Sequence, residues 1–396
     1  MGSLNPDILI WARTTAGLSL DEGAHAIGLK DAYGSTGAER LDALERGKDE
    51  PSRPLLLKMA KAYRRPLLAF YLPRPPKTGD RGQDFRTVPG APSPLFDPDL
   101  DAMLRDIKAR QSIVKSLQED LEAEPVSFIG SVGMGTPVTQ LAELVAKTID
   151  FTLKDFREQK TGELAFSYLR SKIEDAGVFV LLLGNLGSHH TNISPETFRG
   201  FAIADPIAPF VIVNDQDAKP AWAFTALHEL IHLWLGTSGV SGANTTANIE
   251  RYCNDVAAEI LLPAADVARL PKLSGSFAEA ITEISTFAQA RNVSRAMASY
   301  RAFRTGVISE QMWMGLSEYF RQEWIAGKAK QTERQKQSEG GPSYYVVRRH
   351  RLGPALLGLV STSLRDGNIT YTKAGQVLGV KARNVDPLLR GAVGVP

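Results

Sequence analysis

Residues 224–236 read FTALHELIHLWLG, and no other stretch limits the fold as much. Apolar residues fall on every side of the helical projection, so this helix must run through an interior. An interior helix deprives two imidazoles and a carboxylate of water, which is costly unless something else satisfies them. His228 and His232 stand four residues apart, about 40° around a helix, so both side chains can reach one point. A divalent cation is the group that two neutral imidazoles at this spacing can share, and zinc suits them. Three protein ligands leave a fourth position open. Glu229, one residue beyond the first histidine, is swung away from the ligand point and placed to accept a proton from an attacking water. The competing explanation is a core helix that happens to contain histidine. With only six histidines in 396 residues, a pair at this spacing with a glutamate between them makes chance a poor account.

A third ligand is required, and the sequence offers His189 and His190 in GSHHTNIS, Glu259 in VAAEILLP, and Glu250. Where a glutamate completes such a site, it lies on a following helix with an acid or amide four positions on. That later residue can hold the first histidine's other nitrogen. Glu250 with Asn254 has this spacing, whereas Glu259 runs into an apolar stretch and Pro263. The expected site is therefore His228, His232 and Glu250 on zinc, Glu229 as base and Asn254 in support, with Glu259 paired locally. APFVIVND, residues 208–215, is the strand expected to border the groove with an exposed edge. Tyr300, His189 and His190 are each available to stabilise an oxyanion, and the sequence does not choose among them.

Around this centre the pattern is α+β and mostly helical, with a small antiparallel sheet drawn from VFVLLLG, RGFAIAD and PFVIVND. Five segments are expected: a helical domain at 1–75, a linker and connecting helix at 76–125, the metal domain at 126–327, a polar linker at 328–343, and a basic helical domain at 344–396. One cysteine, Cys253, excludes an intramolecular disulfide framework, and no apolar run approaches the length of a membrane span. The first residues lack the pattern of a signal peptide, which suits a cytoplasmic protein. A formal net charge of +2 gives no global attraction to nucleic acid, so any basic surface has to be local.

AWAFTALHELIHLWLGTSGVSG followed by IERYCNDVAAEILLPAADV resembles the ImmA/IrrE metallopeptidases, over roughly residues 165–310. The resemblance implies a zincin-like fold, zinc on His228, His232 and Glu250, catalysis by Glu229, and a protein substrate, a helix-turn-helix transcriptional regulator. Residues 5–73 resemble the small helical domains of the XRE repressor type. The match departs at KDAYGSTGAERLDALERG, which carries an insertion and few base-reading side chains. Residues 1–75 hold eleven Lys/Arg against nine Asp/Glu, a weak electrostatic footprint. Residues 344–396 hold eight against two, and YTKAGQVLGVKARNVDPLL has helix-turn-helix spacing. Lys381, Arg383 and Asn384 would open its second helix and contact nucleic acid. RRHR, at 348–351, reads equally well as a helix entry on the surface. The sequence thus supports a zinc-dependent endopeptidase. The alternative is a DNA-binding regulator or antitoxin-like partner that uses the same fold as a sensor or docking surface.

Overall fold

A computed structural model describes residues 4–32, 34–76, 97–187, 191–237, 243–270, 276–337 and 343–390. The chain divides into two compact units, the first comprising Met1–Arg81, Pro92–Asp106 and Asn185–Thr191 and the second the remainder.

Helices α1 (Pro6–Thr14), α2 (Leu20–Ile27), α3 (Gly37–Glu45) and α4 (Arg53–Ala62) make up most of the first unit. Their starts follow from local chemistry. Asn5 caps α1, and Ser19 with Glu22 and Thr36 with Glu39 form capping boxes on α2 and α3. Ile8, Leu9, Ile27, Leu41, Leu56, Met59, Tyr63 and Phe70 fill the core. Beside it, Arg13 donates to both oxygens of the buried Glu45, each at 2.7 Å. The surface of α3 carries Glu39, Arg40 and Asp42, and Arg40 is turned onto the Lys30 carbonyl. That helix offers phosphate little attraction.

The second unit takes up α5 (Pro98–Asp120) from Ile107 onward, then α6 (Val138–Thr148), α7 (Leu153–Glu158) and α8 (Gly162–Asp175). A sheet follows, with β1 (Phe179–Leu182), β2 (Gly200–Ile203) and β3 (Phe210–Val213), before α9 (Lys219–Leu235) and α10 (Ala243–Leu261). The rest is helical: α11 (Ala264–Val267), α12 (Phe277–Gln289), α13 (Arg295–Arg304), α14 (Glu310–Gln337), α15 (Tyr344–Leu352), α16 (Pro354–Arg365), α17 (Tyr371–Leu378) and α18 (Val385–Leu389). One hydrophobic core runs through α6, α8, the sheet, α9, α10, α12 and α13. Among the described residues no helix is long and apolar enough to cross a membrane.

The sheet differs from the expected antiparallel one. Its order is β1-β3-β2, with β1 parallel and β2 antiparallel to β3. β3 lies between the other two, and Phe210–Val213, like Phe179–Leu182 of β1, is apolar throughout and buried at every position, which suits strands covered on both faces. β3 therefore has no free edge, and β1 and β2 take the two edge positions among the described residues. Asn214, fully buried at the end of β3, donates to Ile193 O and Phe198 O and so fixes the loop that leads into β2.

Two segments between and beyond these elements also depart from expectation. Residues 328–337, read as part of a polar linker, continue α14 as far as Gln337. Lys, Ala, Gln, Glu and Arg are strong helix formers, so a helix persists there without an apolar face. Residues 344–390 lie within the second unit, where the composition suggests a module of their own.

Candidate metal centre

Every residue of α9 from Trp222 to Trp234 is buried. This is the burial that its all-round apolar sequence demands. α10 and α8 pack on it from either side, and β2 and β3 lie against it. Its C-terminal carbonyls are capped by a passing segment, with Gly130 N–H on Leu233 O at 2.9 Å and Val132 N–H on Trp234 O at 3.2 Å.

Inside this packing the two histidine rings converge, with Nε2 of His228 and Nε2 of His232 3.1 Å apart. Glu250, reaching over from α10, places Oε2 3.1 Å from His228 Nε2 and Oε1 3.2 Å from His232 Nε2. Among the described residues these three form the one group of histidine, cysteine and carboxylate side chains whose ligand atoms all lie within 4.8 Å of one another. The histidines are almost fully buried, while the Glu250 side chain keeps 24% of its surface exposed. The cluster therefore opens on the Glu250 side.

The spacing tests whether a metal fits. Four ligands at about 2.0–2.1 Å around a tetrahedral zinc stand about 3.3 Å from each other. The 3.1 Å between the two Nε2 atoms is close to that edge length, and the two Glu250 oxygens stand 3.1 and 3.2 Å from one Nε2 each, so the carboxylate faces both ligand nitrogens. The electrostatics agree. Burial would raise the Glu250 carboxyl, but hydrogen bonds and charge from His228 and His232 outweigh it and hold the group far below the usual carboxylate range. For His232, burial opposes the charged form, yet Cys253, Glu250 and Glu229 together raise its proton affinity well above the ordinary value. Burial pushes the Cys253 thiol up.

Glu229, 1% exposed, is on the same helix but outside this group. It faces β2. A Cβ placed on Gly200 would lie 2.8 Å from Glu229 Oε1 and 2.7 Å from Thr225 Cγ2, so only glycine lets the edge strand approach the carboxylate this closely. The Asn214 N–H bonds Arg199 O at 2.8 Å, so the alternation of the ladder turns the N–H and C=O of Gly200 and Ala202 away from β3. The strand thus turns these peptide groups outward from the sheet, with Gly200 beside Glu229. Nothing in the sequence announced Gly200 beyond a glycine at the start of a short β-prone run. Gly200→Ala should leave bound metal unchanged, cost about 1–3 kcal/mol of stability through overpacking, and lower any hydrolytic rate by displacing Glu229. Metal content, thermal unfolding and turnover measured on one preparation check this.

Residues 180–303 match the family model for the IrrE N-terminal-like domain, a peptidase family. No curated protein and no solved structure matches the chain. The match supports a domain of the ImmA/IrrE type, running from β1 to the end of α13, and its family points to a metallopeptidase.

The other expected residues of the IrrE-like domain are placed as follows. Asn254 is one turn along α10 from Glu250, and its Oδ1 is buried without a hydrogen-bond partner among the described residues. Glu259 pairs with Arg301, which also donates to Leu262 O at 3.1 Å, so it is a local partner as anticipated. Tyr300 interacts with Asp255 and meets the Trp313 ring edge-on. Asp255 lies about 140° around α10 from Glu250, which turns Tyr300 away from the metal cluster. His189 and His190 lie outside the described residues.

Beyond the matched stretch, Lys381 and Arg383 are exposed and Asn384 is half-buried. They do not open a long helix. Lys381 precedes a 3-10 turn at Ala382–Asn384, and α18 behind it has 5 residues, too short to follow a groove. The RRHR cluster is engaged internally. Arg348 donates to Leu378 O at 2.7 Å, Arg349 to Leu388 O at 3.3 Å, and Arg351 pairs with Asp215 at 2.6 Å.

Proposed function

We propose that the chain is a cytoplasmic zinc-dependent endopeptidase acting on a protein substrate. The convergence of His228, His232 and Glu250 at 3.1–3.2 Å beside an uncoordinated Glu229 carries this reading. The three side chains would hold the ion. Zinc bound there supplies Lewis acidity, which makes water a competent nucleophile near neutral pH. The chain's own residues do the rest. An extended substrate pairs antiparallel to β2 through Gly200 and Ala202, correcting the expectation that β3 would offer the edge. That pairing lays a peptide carbonyl between the cluster and Glu229. Glu229, buried and acceptor-only when ionised, takes the proton of the attacking water and returns it to the leaving amine.

The substrate class follows from the resemblance alone: a transcriptional regulator of the helix-turn-helix kind. The alternative, a DNA-binding protein with an idle metallopeptidase fold, draws little from the surfaces, since α3 is acidic, α18 is short and RRHR is spent on internal contacts. The test begins with metal. Purified chain should carry about one zinc, which Glu250→Ala loses and Glu259→Ala keeps. Incubation with proteins encoded alongside it, followed by intact-mass measurement, should then yield a discrete cleavage product that a chelator abolishes. A chain that binds zinc in the Glu250→Ala form and cuts none of them would sink the reading.

A further inference from the structure

α9 ends in a tight turn that does more than stop the helix. Gly236, in the left-handed region at φ 65°, gives its N–H to Leu233 O at 3.0 Å, and Thr237 gives its N–H to His232 O at 3.2 Å. This is the Schellman arrangement, which folds the residue after the glycine back over the last full turn of the helix. Those two positions usually meet through an apolar contact. Here they are Thr237 and His232.

The turn is pinned from outside, since a Cβ on Gly236 would come within 2.8 Å of the Gly130 Cα. Thr237 Oγ1 is thereby held 3.2 Å from His232 Nδ1, and it donates to His232 O at 3.4 Å. A hydroxyl has one proton and two lone pairs. With the proton directed at the carbonyl, Oγ1 faces Nδ1 as an acceptor. Nδ1 then carries hydrogen, and the lone pair of the ring is on Nε2, the atom that faces His228 and Glu250.

We propose that Thr237 is a positioning residue of the metal centre: by accepting the Nδ1 hydrogen it fixes both the ring plane of His232 and the tautomer whose Nε2 can bind a cation. The general logic is that the hydrogen bond made by one imidazole nitrogen decides which nitrogen is free to ligate. The consequence for metal affinity rests on the zinc reading above, whereas the tautomer does not. Cys253, which also hydrogen-bonds His232, is the competing partner.

The experiment uses the full chain, 15N-labelled at histidine, freed of metal and titrated upward until the His232 ring is neutral, with long-range 1H–15N correlation spectra and the His232 signal assigned by its loss in His232→Gln. Wild type and Thr237→Ser should show the Nδ1–H tautomer. Thr237→Val, which keeps shape and backbone but removes the acceptor, should shift His232 toward the Nε2–H form. Zinc affinity, by competition with a chromophoric chelator, should fall about 10–100-fold in Thr237→Val and recover in Thr237→Ser. Thermal unfolding of the three forms separates this from misfolding. An unchanged tautomer in Thr237→Val overturns the proposal, as does a shift produced by Cys253→Ala instead. If the tautomer responds as described and wild type binds no zinc, the positioning role stands and the metallopeptidase reading falls.

Discussion

On the proposed function, Glu229→Gln should leave the zinc content at about one per chain and lower peptide-bond cleavage by about 10²–10⁴-fold, the range that a positioned general base contributes. The substitution is nearly isosteric, so the space that Gly200 leaves for this side chain stays filled and α9 keeps its packing. What changes is proton affinity: an amide cannot take a proton from water. The carboxylate lies outside the group formed by His228, His232 and Glu250, so its loss removes no ligand. The result separates an enzyme from a docking protein. Partner binding or repression that survives the exchange together with full cleavage places the base elsewhere. Loss of zinc makes Glu229 part of the ligand set. Retained zinc, retained partner binding and lost cleavage is the expected pattern.

The parts of this site that could be read in the sequence share one property: each depends on spacing within a single helix. His228, Glu229 and His232 follow from i, i+4 geometry, and Glu250 with Asn254 from the same rule one helix later. The structure brings His228, His232 and Glu250 together, with Glu229 on the same helix as the histidines but outside that group. Relations between elements were not legible. PFVIV reads as the strand at the groove's edge, yet β3 pairs on both sides and lies in the middle of the sheet. The weaker GFAI takes the edge, because a glycine and a small alanine can pack under the metal helix. Thr237 lies two residues beyond the end of α9, and only the left-handed turn at Gly236 brings it back to His232. Arg170 and Glu174 look like any i, i+4 surface pair until burial is known. Basic residues at 348–351 gave a nucleic-acid signal in composition, but the carbonyls and carboxylates that absorb them come from remote parts of the chain.

The last of these relations ties residues 344–390 to the rest of the second unit, and Gly353→Ala is the sharpest probe of it. Arg170, 4% exposed on α8, donates to Glu174 at 3.1 Å, to His350 O at 2.5 Å, to Arg351 O at 3.2 Å and to Val180 O. Glu174 in turn accepts the Ala355 N–H at 3.1 Å. One buried ion pair thus satisfies the end of α15, the start of α16 and a carbonyl of β1. Gly353 joins the two helices at φ 82°, and a Cβ there would lie 2.3 Å from both Arg170 Nη2 and Glu174 Oε1. Alanine at this position is strained in its backbone and drives the pair apart. Breaking a buried pair costs about 3–5 kcal/mol, a large part of the about 5–15 kcal/mol that holds a domain folded. Gly358→Ala, inside α16, is the matched control. A Cβ there meets nothing within 4 Å, so helix propensity alone acts and should stabilise by about 0.5–1 kcal/mol. Urea unfolding followed through the tryptophans should therefore move in opposite directions for two glycine-to-alanine changes five residues apart. Deleting residues 344–396 should unfold the second unit, because Arg170 and Glu174 then face the interior without their partners. If Gly353→Ala and the deletion both leave the midpoint and the zinc content unchanged, the C-terminal helices are a separate module, and their exposed Lys381 and Arg383 regain their interest as a nucleic-acid surface.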